Sequence, residues 1–302
     1  MPDIFSPLLE NEACLVEEVI ESNKVICRYQ ELFNIDVKKF FESHSSIYLC
    51  RCPKTQYRFY FPFTLSGDGG FYAHLQKSEW YYMPWKWEHH VTSGMIEKHE
   101  KILEIGCGDG SFVERLHKNG FDITGLELNE EAVLSAQKKE LRVLDETIQK
   151  HHEKFRGAYD LVCNFQVLEH ITNPKSFLEA SLGCLKSNGR LIICVPNNDS
   201  FIKFVKMLVI NMPPHHMGLW NATSLKNLQK ILPITLNSLR YEPLQHYHFD
   251  LYLSTIRHRF FSSGIMKKLY NKLKFHFFLK GIIKIFRPYV RGHSIMAIYT
   301  KN

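Results

Sequence analysis

The sequence predicts an α/β fold, a parallel sheet with helices on both faces. Three observations carry that reading. Ile102, Leu103 and Ile105 form a short apolar run that leads into the glycine-rich turn 106–110 and then a helix from Ser111. From Lys101 onward, strand-like and helix-like segments alternate, which is the pattern of a parallel sheet. A carboxylate, Glu127, closes the second strand 19 residues after Gly108. Open α/β sheets gather ligands at the carboxyl ends of their strands.

The chain has 302 residues. Residues 1–95 read as an N-terminal extension and 96–302 as the main domain, with a basic helical insertion at 251–291. Within the extension, residues 11–24 have helical spacing, with Leu15, Val16, Val19 and Ile20 on one face. Segments 47–49 and 57–63 read as aromatic-rich strands, and 66–70 as a turn. Residues 78–90 crowd Trp80, Tyr81, Tyr82, Trp85 and Trp87 together. Such a cluster is either an aromatic mini-core clamped on the main domain or a lid whose ring faces attract a cation.

In the main domain, the helix from Ser111 stops near Asn119-Gly120. The second strand is 121–128, a helix covers 131–139 and a short third strand covers 141–144. The fourth strand is 159–164. A turn at Asn188-Gly189 leads into the fifth, which ends at Pro196. Asn221 or Thr223 caps the helix that follows. Residues 241–249 and 293–299 read as the sixth and seventh strands.

Hydrophobic residues make up 45% of the chain, enough for a sizeable core. No apolar run reaches the roughly 18–20 residues of a membrane span. The N-terminus is acidic and has no basic segment before an apolar one, so it does not read as a signal peptide. Eight cysteines, several beside core strands, suit reduced thiols in a cytosol. Cys50 and Cys52 have half the spacing of a zinc site, but no second pair lies nearby. They read as structural thiols, and no metal is expected. The net charge of +7 is uneven: residues 251–302 hold eleven Lys/Arg and no Asp/Glu, leaving 7 − 11 = −4 for the rest.

The turn has G-x-G-x-G spacing rather than G-x-G-x-x-G, and Glu104 precedes it. With Glu127, then YDLV before VLEH, and LKSNGRLII before VPN, it resembles the class I S-adenosylmethionine-dependent methyltransferases, closest to the ubiquinone-biosynthesis O-methyltransferase-like group. That resemblance implies a Rossmann-like seven-stranded sheet whose last strand is antiparallel, and S-adenosyl-L-methionine as cofactor. By position, Glu104, Gly106, Cys107 and Gly108 would hold its methionine part. Glu127 and Leu128 would meet the ribose, and Glu146 and Thr147 the adenine, with Asp145 close behind Glu146. Phe165 and Gln166 would flank the sulfonium, with Asn164 as a further cofactor-binding residue.

His170, His215 and His216 fall on loops over the same edge, and one of them can take a hydroxyl proton during transfer. Alternatively, His170 caps a turn and the other two shape a loop. The expected reaction is O-methylation of a small-molecule, sugar or lipid-linked acceptor. The competing readings are a silent module that kept the fold and an NAD-dependent oxidoreductase. Residues 256–291 mix Lys/Arg with aromatics and aliphatics, and 266, 269, 270, 273 and 277 recur at helical spacing up to Pro288. That segment is either a helix capping the sheet or a peripheral contact with an anionic membrane. The chain shows no RNA-binding signature. The expected location is cytoplasmic, with a peripheral contact at the inner membrane face as the extension of that reading.

Overall fold

The computed structural model describes residues 3–76, 83, 85–205, 207–260 and 275–302. Its strands, in chain order, are β1 (Leu15–Glu21), β2 (Ser46–Arg51), β3 (Arg58–Phe61), β4 (Lys101–Ile105), β5 (Asp122–Leu126), β6 (Val143–Leu144), β7 (Tyr159–Phe165), β8 (Leu185–Pro196), β9 (Gly218–Leu219), β10 (Ile234–Pro243) and β11 (Arg291–Lys301). Seven of them form one sheet in the order β10-β11-β8-β7-β4-β5-β6. Strands β4 to β8 run parallel. β11 runs antiparallel to both of its neighbours. This is the expected seven-stranded sheet with an antiparallel last strand.

Local chemistry explains most of the elements. β4 and β7 bury nearly every side chain, which suits a central position in a sheet covered on both faces. Asn129, Thr147 and Asn173 each cap a helix by accepting a backbone N–H. Asn221, rather than Thr223, caps Ala222–Asn227, in a reciprocal box with Ser224. From β4 the chain moves outward through β5 to β6, then returns to the other side of β4 with β7 and β8. The order reverses between β4 and β7, and a crevice opens at such a reversal.

Three elements differ from the sequence reading. Residues 11–24 do not form one helix: β1 occupies Leu15–Glu21, and a helix starts only at Ser22. A bulge between Val16 and Glu18 breaks the alternation of β1, so its apolar residues fall at spacings that imitate a helix. Glu17 lies at that bulge and bonds Arg51 (2.5 Å) and Arg58 (2.6 Å). The sixth strand is displaced from 241–249 to Ile234–Pro243. It is an edge strand whose outward positions are polar, which hides its pattern. The Asn188-Gly189 turn is a register shift inside β8, with Asn188 in the left-handed region (φ 61°).

Residues 1–95 are joined to the main domain by shared packing. β9, from the loop after β8, completes a four-stranded antiparallel sheet in the order β1-β2-β3-β9. Tyr57 packs on Trp220 with ring centroids 4.1 Å apart. The Tyr29 hydroxyl donates to the carbonyl of Val209 (2.7 Å). Cys50 and Cys52 are fully buried.

In the aromatic stretch, Trp85 stacks on Phe112 under the Arg115 guanidinium, and Trp87 packs on the same core. These two rings serve the mini-core reading; Trp80, Tyr81 and Tyr82 lie outside the described residues. In the insertion, helices span Phe249–Phe260 and Phe275–Phe286, and Pro288 sits in the turn that follows. The helical positions expected at 266–273 lie outside the described residues. Among those described, no helix is long and apolar enough to cross a membrane.

Candidate active site

A cleft of about 1170 Å³ opens above the crevice between β4 and β7. Sites for one small ligand usually span roughly 300–1,000 Å³, so this one has room for a cofactor and an acceptor together.

One end is built by the turn after β4. Gly106, Gly108 and Gly110 all have positive φ (71°, 55° and 75°), which side chains rarely adopt. A Cβ on Gly106 would stand 2.5 Å from Val167 Cγ2. The N–H groups of Gly106 and Cys107 both donate to the Leu126 carbonyl, at 2.8 and 3.0 Å. Glu127 locks the turn from the neighbouring strand end. Its Oε2 accepts the Gly108 N–H (2.8 Å), and its Oε1 accepts those of Leu128 (2.9 Å) and Asn129 (2.8 Å).

Glu104 is buried at the end of β4, and its Oε2 has no hydrogen-bond partner among the described residues. Burial, then the charges of Asp109 and Glu127, push its carboxyl well above the usual range. An ammonium group placed beside it would relieve both conditions. Further along, Glu146 Oε1 bonds His151 Nδ1 (2.6 Å), and His151 Nε2 bonds the Tyr159 hydroxyl (2.9 Å). Glu146 lines the cleft and Asp145 does not.

Cys107, Leu128, Thr147, Phe165 and Gln166 also line the cleft. Gln166 Nε2 donates to Ser294 Oγ (3.2 Å). Asn164 departs from the sequence reading. It is fully buried in β7, paired with Ile105 on one side and Ile193 on the other, and it is not among the residues lining the cleft.

The same cleft also gathers His170, from the turn Leu168–His170, with His215 and His216 from the loop before β9. Their ring centroids lie 4.4–4.8 Å apart. Burial lowers all three pKa values: His170 to about 4, His215 to about 3 and His216 well below its ordinary value. All three are therefore neutral near pH 7. The Tyr72 hydroxyl donates to the His215 carbonyl (3.1 Å).

Glu169 lines the same cleft, 1% exposed, with neither carboxyl oxygen hydrogen-bonded among the described residues. Burial raises its pKa to about 8. Behind this wall Glu242 accepts the N–H groups of His293 and Ser294, each at 3.0 Å. Burial and the Glu88 charge raise its pKa to about 7.

Sequence reasoning missed Tyr72, Glu88, His89, Glu169, Tyr247, His248, His293 and Ser294, all of which line the cleft. Glu88 and His89 carried a local signal as part of the crowded stretch 78–90, and Glu169 as the neighbour of His170 just after a buried strand. The others come from segments scattered along the chain, and no spacing links them.

The reversing parallel sheet, its antiparallel last strand, the glycine turn and the acid after β5 together define a class I S-adenosylmethionine-dependent methyltransferase. The chain belongs to the methyltransferase domain family, whose model matches residues 80–232. Curated relatives include two ubiquinone biosynthesis O-methyltransferases. The one from Photorhabdus laumondii subsp. laumondii is 31% identical over 106 residues, covering 33% of this chain and 44% of the relative. The one from Erwinia tasmaniensis is 28% identical over 120 residues, covering 38% and 49%. The chain thus spans somewhat less than half the length of these relatives. Among solved structures, a SAM-dependent methyltransferase from Archaeoglobus fulgidus shares the fold, with a TM-score of 0.52 and 16% identity over 76% of this chain and all of the other. S-adenosylmethionine is the cofactor of this class. Glu104, with its unbonded buried oxygen beside the glycine turn, fits the ammonium end of such a ligand.

Proposed function

We propose that this chain methylates a hydroxyl oxygen on a small-molecule, sugar or lipid-linked acceptor, with the cofactor at the glycine-turn end and the acceptor at the histidine end. S-adenosylmethionine supplies an activated methyl group on a sulfonium. The chain's own residues position the two reactants, the main task in an in-line transfer. Glu104 takes the amino-acid part, Glu127 the ribose and Glu146 the adenine edge. Phe165 and Gln166 take the sulfonium region. The histidine cluster receives the acceptor hydroxyl and relieves it of its proton.

The observation that carries this reading is the neutral histidine cluster lining the same cleft as the locked glycine turn. The names of the two curated relatives favour oxygen as the accepting atom. Neutral imidazoles accept a proton, and a hydroxyl has one to lose. The test is transfer of a labelled methyl group from S-adenosylmethionine to a panel of phenols, sugars and lipid-linked hydroxyls. Product should form with at least one hydroxyl and not with its methyl ether. Tight S-adenosylhomocysteine binding with no turnover on any hydroxyl would leave a silent module instead.

The second element of the proposal is peripheral docking on an anionic membrane at the cytoplasmic face. Phe277, Phe278, Ile285 and Phe286 are exposed on the helix Phe275–Phe286, beside Lys284 and Arg287. Exposed rings interleaved with cations suit such a surface. The nearby residues Tyr247 and Leu251 line the cleft, which would place its mouth close to that surface.

A further inference from the structure

We propose that His170, His215 and His216 form a binding site for a divalent transition-metal ion, best suited to zinc, at the acceptor end of the cleft. One ring nitrogen from each residue lies within 4.8 Å of those of the other two. Among the described residues they are the only group of three histidines, cysteines or acids so arranged.

The hydrogen bonds orient these rings as ligands. His170 Nδ1 bonds the His215 carbonyl (2.7 Å), and His215 Nδ1 bonds the Ile210 carbonyl (2.7 Å). A carbonyl only accepts, so each Nδ1 carries the proton and each Nε2 the lone pair. His216 Nδ1 bonds Asn211 Oδ1 (2.9 Å), while the amide nitrogen of Asn211 donates to Asn198 Oδ1 (2.7 Å). That second bond fixes which Asn211 atom faces His216, so its Nδ1 carries the proton as well. Three imidazoles held through Nδ1–H···O bonds are typical of metal-bound histidine, where the outer partner sets the tautomer and the aim of the ring.

The ligand set also selects the ion. Imidazole suits zinc, copper, iron and nickel, whereas magnesium and calcium prefer oxygen. Three protein nitrogens leave one tetrahedral position open, as in catalytic zinc sites. At Zn–N distances of 2.0–2.1 Å, tetrahedral ligands stand roughly 3.4 Å apart. The cluster therefore has to close by at most about an ångström and a half. The buried carboxyl of Glu169 is available in the same cleft to offset the ion's charge.

The site itself stands apart from the methyl-transfer reading, and only its use rests on it. In that use the three imidazole lone pairs sit on the ion and no longer take the proton themselves; the ion replaces them, and the acceptor hydroxyl occupies the open position. Its O–H bond breaks, the proton leaves to water, and the electron pair stays on the oxygen that then attacks the methyl group.

The test uses the full chain, stripped with a chelator and titrated with Co²⁺, then with Zn²⁺ as competitor. The expected result is one equivalent of Co²⁺ with the visible bands of a low-coordinate site, displaced by Zn²⁺. The double variant His215→Ala/His216→Ala, and separately His170→Gln, should weaken Co²⁺ binding at least 100-fold. S-adenosylhomocysteine affinity should stay within about twofold in each, showing that the fold and the cofactor end persist. No stoichiometric Co²⁺ spectrum in the unmutated chain, or equal Co²⁺ affinity in a variant that still binds S-adenosylhomocysteine, would overturn the proposal.

Discussion

At the glycine turn, the polar contacts that shape the site depend largely on backbone N–H groups: Gly108, Leu128 and Asn129 all donate to one carboxylate, Glu127, while Asn129 and Glu146 reach out to Gln76 and His151. At the histidine end, Tyr72, His170, Ile210, Asn211, His215 and His216 belong to three distant parts of the chain, and side chains carry the contacts. Backbone contacts survive most side-chain changes, so the first end can be kept while the second varies.

The largest expected effect is at Gly106. Gly106→Val forces a branched side chain into the left-handed region, at about 1–2 kcal/mol, and against Val167, at a further ~1–3 kcal/mol of overpacking. Calorimetry should show S-adenosylhomocysteine affinity reduced by two or more orders of magnitude, with far-ultraviolet circular dichroism unchanged. Unchanged affinity would break the comparison at its first term.

Glu127→Ala comes next. It removes a carboxylate that accepts three N–H groups and should weaken S-adenosylhomocysteine binding by about 1–3 kcal/mol. Methylthioadenosine, which keeps the ribose and lacks the amino-acid part, should weaken as well. Equal methylthioadenosine binding by both forms would remove Glu127 from the ribose role and leave it only the turn.

Behind the histidine end, the contrast sharpens with pH. The Glu242 carboxyl is raised from its ordinary range to about 7. In the unfolded chain it ionises near 4.5, while the folded protein holds it protonated for about two and a half more pH units. Its contribution is therefore fully present below pH 4.5 and is lost as pH rises through 7. Glu242→Gln, which mimics the protonated form, should gain about 3 kcal/mol relative to the unmutated chain between pH 4.5 and 8. Chemical denaturation at several pH values measures this; a constant difference across that range would show that Glu242 is not protonated in the fold.

These two ends also differ in how well the sequence reveals them. The glycine turn, Glu104 and Glu127 sit at fixed offsets on consecutive strands, so spacing alone locates them. The three histidines were each visible, but not their contact, because β8 and a long loop separate His170 from His215. Tyr72 and Ser294 gave no signal, since each reaches the cleft only through tertiary packing. Among the elements, β1 misled because its bulge moved the apolar residues off a period of two. Asn164 is fully buried in β7 and does not line the cleft, so its place at the end of that strand, not its exposure, was what the sequence showed.

The smallest expected effect lies outside both ends. Lys284→Glu and Arg287→Glu should each lower the affinity for anionic vesicles by about 1 kcal/mol or more, with little change on neutral ones. Co-sedimentation at low and high salt checks this. Indifference to vesicle charge would assign the helix Phe275–Phe286 to covering the cleft alone.

The two-residue strand β9 has a consequence for anyone recombining this enzyme with its relatives. It ties the loop carrying His215 and His216 into the sheet formed by residues 15–61, so the segment proposed to meet the acceptor is held in place by a region far upstream of the methyltransferase motifs. A chimera that exchanges only residues 80–232 would separate those histidines from the partner strand Arg58–Phe61 that anchors them. Acceptor preference should therefore move between homologues only when the first 75 residues and the 205–220 loop travel as one graft.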